Sequence, residues 1–159
     1  MLVRQMNVGD VDGVAAIEAD GLSPWNRKQI VSELKRETGL ALVAVTSDGV
    51  VQGWCCGLVA GLDAELLKVA VCCPLQRQGI ATTLLRELCH LFTLPGAEQM
   101  FLEVRSRNIP ARKLYAKQGF KETGIRRDYY KEPVDDAVIW VKKLNKEEGI
   151  KGRVDENNT

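Results

Sequence analysis

The sequence predicts an α/β domain of the α+β kind, a mixed and mostly antiparallel central sheet of about six to seven strands carrying four helices. Three observations lead there. Apolar residues alternate with period two in some stretches and recur at helical spacing in others, with Gly, Pro, Asn or Asp between them. The order of these stretches is strand, two helices, three strands, helix, strand, helix, two strands. The strand–helix–strand run over residues 64–105 is a crossover unit, so at least one strand pair should be parallel.

The elements follow in order. Residues 2–6 (LVRQM) alternate as a short strand. Asp10 is an N-cap candidate for a first helix carrying Val11, Val14, Ala15 and Glu18 and ending near Gly21. Ser23-Pro24 reads as the N-cap and first-turn proline of a second helix, with Ile30, Val31 and Leu34 inward and a stop near Gly39. The period then changes. LALVAV (40–45), the turn Ser47-Asp48-Gly49 and VVQGWCCGLVA (50–60) read as a hairpin, and AELLKVAV (64–71) as its third strand.

From Gln78 to about Phe92, one apolar stripe of Ile80, Leu84, Leu85, Leu88, Leu91 and Phe92 predicts an amphipathic helix, closed by Pro95-Gly96. QMFLEVR (99–105) is a strand and 108–118 a helix, with Gly119 suited to its left-handed C′ position. The last strands are 120–127 and 136–144, joined by a loop containing Asp128 to Pro133. Residues 1–145 make one domain, and 146–159 a polar tail with little to bury.

Composition excludes several function classes. The 159 residues suit one domain. With 22 basic against 21 acidic residues, bulk charge points to neither nucleic acid nor an anionic membrane. No apolar run approaches the ~18 residues of a membrane span, and the N-terminal residues lack a signal-peptide core, so a cytoplasmic protein is expected. The five cysteines form vicinal pairs at Cys55-Cys56 and Cys72-Cys73, with Cys89 alone. Neither pair has zinc-ligand spacing and His90 is the one histidine, so no metal site is expected. Strand neighbours face opposite ways, so each pair should contribute one buried and one outward thiol.

The stretch CPLQRQGIATTLL (73–85) carries the first chemical signal. A helix starting after Gly79 leaves its first amide N–H groups unpaired and about half a positive charge at its mouth. Gly79 permits unusual backbone angles, and Arg77 offers a fork of donors, which together make an anion cradle. A plain surface loop is the alternative. A P-loop would need a second glycine followed by Lys-Ser/Thr, and a dinucleotide turn would need three glycines; both are absent.

Gln76-Arg77-Gln78-Gly79-Ile80-Ala81 resembles the pyrophosphate loop, [QR]-x-x-G-x-[GA], of the GNAT acetyltransferase family. NIPARKLYAKQGF (108–120) is similar to that family's N-x-x-A-x-x-L-Y-x-x-x-G-F signature. The element order matches the GNAT fold, and the likeness spans roughly residues 3–144. LEVRSRN (102–108), IRRDYY (125–130), DDAVIW (135–140) and LSPW (22–25) further resemble the bacterial RimI group, the ribosomal-protein-alanine N-acetyltransferases.

The resemblance implies acetyl-CoA as co-substrate, a sheet splayed where it binds, and a protein N-terminus as acceptor, in the RimI group that of a small-subunit ribosomal protein. It implies that the backbone of Val69, Ala70 and Val71 pairs with the pantetheine arm, with an N–H near Val69 or Val71 polarising the thioester carbonyl. Arg77, Gln78, Gly79, Ile80, Ala81 and Thr82 would hold the pyrophosphate, and Asn108 would touch the pantetheine. Glu103 would be the general base and Tyr115 the general acid. Leu22 and Trp25 on one loop, with Tyr129 and Tyr130 on another, would line the acceptor groove. Trp25 sealing a helix–sheet seam is an equal alternative.

Two departures border the acetyl site. Lys68 stands where relatives carry a small polar residue, and Cys72-Cys73-Pro74-Leu75 where they show Asp-Pro and an aromatic. A GNAT enzyme acting on lysine or a small amine, and a non-catalytic CoA-binding module, are the rival readings.

Overall fold

The computed structural model describes residues 1–76 and 78–144, so Arg77 and the expected tail over 146–159 lie outside the described residues. The strands are β1 (Leu2–Gln5), β2 (Gly39–Val45), β3 (Val51–Ala60), β4 (Asp63–Val71), β5 (Gln99–Arg105), β6 (Lys121–Lys131) and β7 (Val134–Lys143). The helices are α1 (Val11–Ala19), α2 (Arg27–Leu34), α3 (Ile80–Thr93) and α4 (Ile109–Lys117). The strands form a single sheet in the order β1-β2-β3-β4-β5-β7-β6. Among the described strands only β4 and β5 pair in parallel, as the crossover through α3 requires.

Both faces of the sheet are covered. Ile80, Leu84, Leu85, Leu88 and Phe92 of α3 pack on one face with Leu42, Cys55, Met100, Leu102 and Tyr115. Val11 and Val14 of α1 and Ile30 of α2 pack on the other with Val43, Trp54 and Cys56. This corrects the expectation for Cys55-Cys56: the pair does alternate, but each face has its own helices, so both thiols are buried.

Other expectations also shift. α2 begins at Arg27, and its N-cap is Asn26 rather than Ser23. The Asn26 side chain accepts the Gln29 N–H and the Gln29 side chain accepts the Asn26 N–H, each at 2.9 Å, a capping box that satisfies two otherwise orphaned donors. Asp10 stands at the N-cap position of α1 as expected, but its side chain makes no capping bond there. Its carboxylate instead accepts the Asn7 N–H at 2.8 Å and the Arg4 fork at 2.7 and 2.9 Å. The expected 128–133 loop is mostly strand, because β6 runs on to Lys131 past an irregularity at Asp128. Asn108 is the N-cap of α4 rather than its first residue.

One irregularity shapes the sheet centre. Cys56 pairs with Lys68 but the neighbouring Gly57 pairs with Leu66, so Leu67 is an extra residue in β4. Such a bulge increases local twist. Gly57 permits the close approach there, since a Cβ would sit 2.5 Å from the Glu65 carbonyl oxygen. Beyond the bulge β4 and β5 part. Their pairing covers Asp63–Glu65 with Gln99–Phe101, whereas β4 continues along β3 to Val71 and β5 along β7 to Arg105.

Candidate active site

The parted strands leave an edge of β4 unpaired inside the sheet. The Cys72 N–H donates to the Gln52 carbonyl of the β3 side at 2.9 Å. Bonding direction alternates along an antiparallel pair, so Ala70 faces β3 while Val69 and Val71 turn their N–H and C=O groups into the gap. The Val71 carbonyl accepts the Gln76 side-chain amide at 3.3 Å, which ties the following turn to this edge. That turn, Cys73–Leu75, is a single 3-10 turn leading to the mouth of α3.

Gly79 stands at the N-cap of α3 with φ 85°, a left-handed conformation that disfavours a side chain. No side chain among the described residues caps the helix. Thr83 makes the first bond back to the Gly79 carbonyl, at 3.0 Å, so the N–H groups of Ile80, Ala81 and Thr82 precede the helical ladder. Ile80 is buried and anchors the turn, while Gln78 and Gly79 are exposed. The sequence-predicted cradle is therefore adjacent to the open edge of β4.

β5 divides the two acid–base candidates. Met100, Leu102 and Val104 enter the core beneath α3, so Glu103 and Arg105 face the other side. Glu103 is 26% exposed in its side chain, with Arg126 Nε 3.4 Å from its carboxylate. It lines a cleft of ≈ 290 Å³ with Glu65, Phe101, Arg126 and Ile139 among others. Tyr115 lies on the core side, edge-on to Phe120 with ring centres 5.7 Å apart. Burial raises the Tyr115 phenol well above its ordinary pKa, with Tyr130 and Cys55 adding to the effect. The Tyr115 ring also lies 6.5 Å from the Trp140 ring of β7, which fixes it against the core face of the sheet.

Asn108 caps α4 through Oδ1, which accepts the Ala111 N–H at 3.2 Å. The preceding loop is pinned to β7 by Asp135, which accepts from the Ser106 hydroxyl and the Arg107 N–H.

The two segments expected to line the acceptor groove are joined through Arg105, which donates to the Ser23 hydroxyl beside one and to the Pro133 carbonyl beside the other. Leu22 is exposed at 60%, and Trp25 sits edge-on to the buried Trp54 at 5.7 Å, so Trp25 does seal a seam. Tyr129 and Tyr130 meet edge to face at 5.1 Å. Burial raises the Tyr130 pKa, and the Glu103 charge raises it further. Sequence reasoning assigned no role to the groups that hold these loops: Glu18, Lys68 and Arg105. A charge on the inward stripe of the first helix and another in an apolar strand were the available signals.

The sequence matches the Acetyltransferase (GNAT) family over residues 13–120. The chain belongs to the GNAT family. This GNAT protein is 34% identical over 141 residues to a Bacillus subtilis protein provisionally assigned as a ribosomal protein bS18-alanine N-acetyltransferase, covering 87% of the chain and 93% of that protein. It is 34% identical over 119 residues to the ribosomal protein bS18-alanine N-acetyltransferase of Escherichia coli K12, covering 73% and 78%. The crystal structure of the ribosomal-protein-S18-alanine N-acetyltransferase from Escherichia coli superposes with a TM-score of 0.81 at 29% identity, covering 91% of this chain and 94% of that one. This GNAT protein is thus a RimI-like N-acetyltransferase. Among its described residues no helix is long and apolar enough to cross a membrane.

Proposed function

We propose that this GNAT enzyme transfers the acetyl group of acetyl-CoA to the N-terminal α-amine of a protein, a small-subunit ribosomal protein beginning with alanine being the acceptor its relatives suggest. The observation that carries this reading is the parted β4–β5 seam. It presents backbone donors of Val69 and Val71 to one gap, while Glu103 and the core-packed Tyr115 lie on opposite faces of β5.

The donor set fits the co-substrate. An unpaired strand edge suits the amide-bearing pantetheine arm, which would bond to the Val69–Ala70–Val71 backbone as a further strand does. Gln78, Gly79, Ile80, Ala81 and Thr82 would meet the pyrophosphate at the α3 N-terminus, with Arg77 adding its charge. With Oδ1 committed to the α4 cap, the Asn108 amide nitrogen would face the pantetheine.

Glu103 then takes the proton of the attacking amine, directly or through water. A Val69 or Val71 N–H stabilises the oxyanion that develops on the thioester carbonyl, and Tyr115 donates a proton to the departing thiolate. An α-amine of pKa about 7.7–8.0 is already about 10–20% neutral at pH 7, against roughly 0.04% for lysine. A base as modest as a carboxylate therefore suffices for an N-terminus. The exposed Leu22 and Tyr129, with Trp25 and Tyr130 behind them, would bound an extended peptide end.

Mass spectrometry of peptides with free N-termini, Ala-Arg starts included, after incubation with enzyme and acetyl-CoA tests the reading. Acetylation at the α-amine is expected. Modification confined to internal lysines would overturn it, and binding of acetyl-CoA without turnover would leave a CoA-binding module.

A further inference from the structure

Arg105 ends β5, and the residue is 8% exposed. Its fork reaches three neutral oxygens: Nε donates to Ser23 Oγ at 2.7 Å, Nη1 to the Pro133 carbonyl at 2.7 Å and Nη2 to the Glu132 carbonyl at 3.3 Å. The guanidinium carbon also lies 4.2 Å from the centre of the Tyr130 ring. Among the described residues no carboxylate stands within ion-pair distance of it.

A buried cation with neutral partners is a costly way to fill space, because desolvation is offset only while all its hydrogen bonds hold. Its distinctive feature is the span it makes. Ser23 belongs to the α1–α2 loop, 82 residues away in sequence, and Glu132 and Pro133 to the β6–β7 turn, 27 and 28 residues away. These segments carry the two walls of the acceptor groove in the reading above, on which this inference rests. The planar fork and the ring stack both demand fixed geometry, which a lysine cannot reproduce.

We propose that Arg105 is a positioning residue that sets acceptor selectivity: it fixes the spacing of the two walls and holds the Tyr130 ring against its guanidinium. Discrimination between first residues that differ by a methyl or a hydroxyl needs a groove of constant width, since each such group changes the rate only by about 10–200-fold even in a well-formed pocket. From beneath, the same α1–α2 loop is held independently. Lys68 donates to the Ser23 carbonyl at 2.7 Å and Glu18 accepts the Trp25 N–H at 3.0 Å. Loss of the Arg105 fork therefore frees the spacing between the walls and leaves the α1–α2 loop attached.

Arg105→Lys, made in the full chain, is tested by competing peptides with Ala, Ser, Gly and Met N-termini in one reaction. The ratios of kcat/KM so obtained do not depend on the fraction of active enzyme. The spread between best and worst acceptor should shrink by about tenfold, with peptide KM raised and the KM for acetyl-CoA kept within about twofold. Ser23→Ala removes one half-buried partner and should compress the same ratios by a smaller factor, about threefold. It decides the matter if Arg105→Lys does not fold. Unchanged ratios in the soluble variants overturn the proposal and leave Arg105 as a fold contact. If the wild type modifies no N-terminal amine, the N-terminal reading fails instead, and the same ratios among lysine peptides still judge Arg105.

Discussion

Lys68 Nζ lies 3.1 Å from Glu18 Oε1, in a pair whose carboxylate side chain is 1% exposed. The bulge at Leu67 helps turn Lys68 toward the α1–α2 face, where Glu18 also accepts from the Trp25 N–H at 3.0 Å and the Trp54 indole at 3.1 Å. The unusual lysine is thus the counter-ion of a buried carboxylate. Lys68→Met leaves that charge unpaired and should lower stability by about 3 kcal/mol in urea unfolding. Adding Glu18→Gln should recover part of the loss. A single variant within about 0.5 kcal/mol of wild type would show that the pair contributes little.

Glu103→Gln should lower kcat by about 10²–10⁴-fold while acetyl-CoA affinity, followed by calorimetry, stays near wild type. Unchanged turnover would remove Glu103 from the role of base.

Tyr115 should stay protonated throughout the working range, because burial favours the neutral phenol and raises its pKa. The kcat–pH profile should show no alkaline decline from this group below about pH 10, the ordinary tyrosine value. Tyr115→Phe should lower kcat at every pH in that range. A decline near neutral pH that vanishes in Tyr115→Phe would contradict a protonated donor.

The Arg4 fork holds the Asp10 carboxyl below the usual carboxylate range. A lowered folded-state pKa means stability that is complete above the unfolded value, about 3.9, and lost as pH falls through the lower folded value. Asp10→Asn should therefore cost about 1.5 kcal/mol at pH 7 and flatten the loss of stability below about pH 4. Asp135, also held low by its hydrogen bonds, acts in the same window. Parallel acid-unfolding curves for wild type and Asp10→Asn would argue against the Arg4–Asp10 contribution.

Thiol titration should divide the five cysteines. Cys55, Cys56 and Cys89 are buried, and burial pushes the first two thiols up in pKa. Only Cys72 and Cys73 are open to a disulfide reagent, so two equivalents should react in the native protein and five after denaturation. More than two fast thiols would mean that the sheet opens more readily than its packing implies.

Local sequence pattern was a good guide where one physical cause dominated. The stripe Ile80, Leu84, Leu85, Leu88, Leu91 and Phe92 is apolar at helical spacing, and all but the half-buried Leu91 are buried in α3. Gly119 after α4 does adopt the left-handed angle expected of it, with φ 89°. Pattern misled where distant partners competed for the same atoms. Ser23 looked like a helix cap, but its hydroxyl is taken by Arg105 and its carbonyl by Lys68, so the cap passed to Asn26. Asp10 likewise gave its carboxylate to Arg4 and Asn7 instead of to α1. Tyr129 and Tyr130, read as loop residues, lie on β6 because pairing with β7 resumes at Tyr130–Asp135.

The sequence by itself determined the element order, a parallel crossover and the glycine-led mouth of α3. These follow from periodicity, turn chemistry and short-range spacing, all of which act within a few residues, whereas Glu103, Asn108 and Tyr115 stood out through the resemblance to the GNAT family. The tertiary structure alone decided where β4 leaves β5, because that depends on a bulge register between strands. It also decided that Glu103 and Tyr115 stand on opposite faces of β5. The pairings of Glu18 with Lys68 and of Arg105 with Ser23 bring together charges and hydroxyls from 50 and 82 residues apart. No local pattern encodes them, since each partner reads in isolation as an ordinary polar residue until the sheet sets it beside the other.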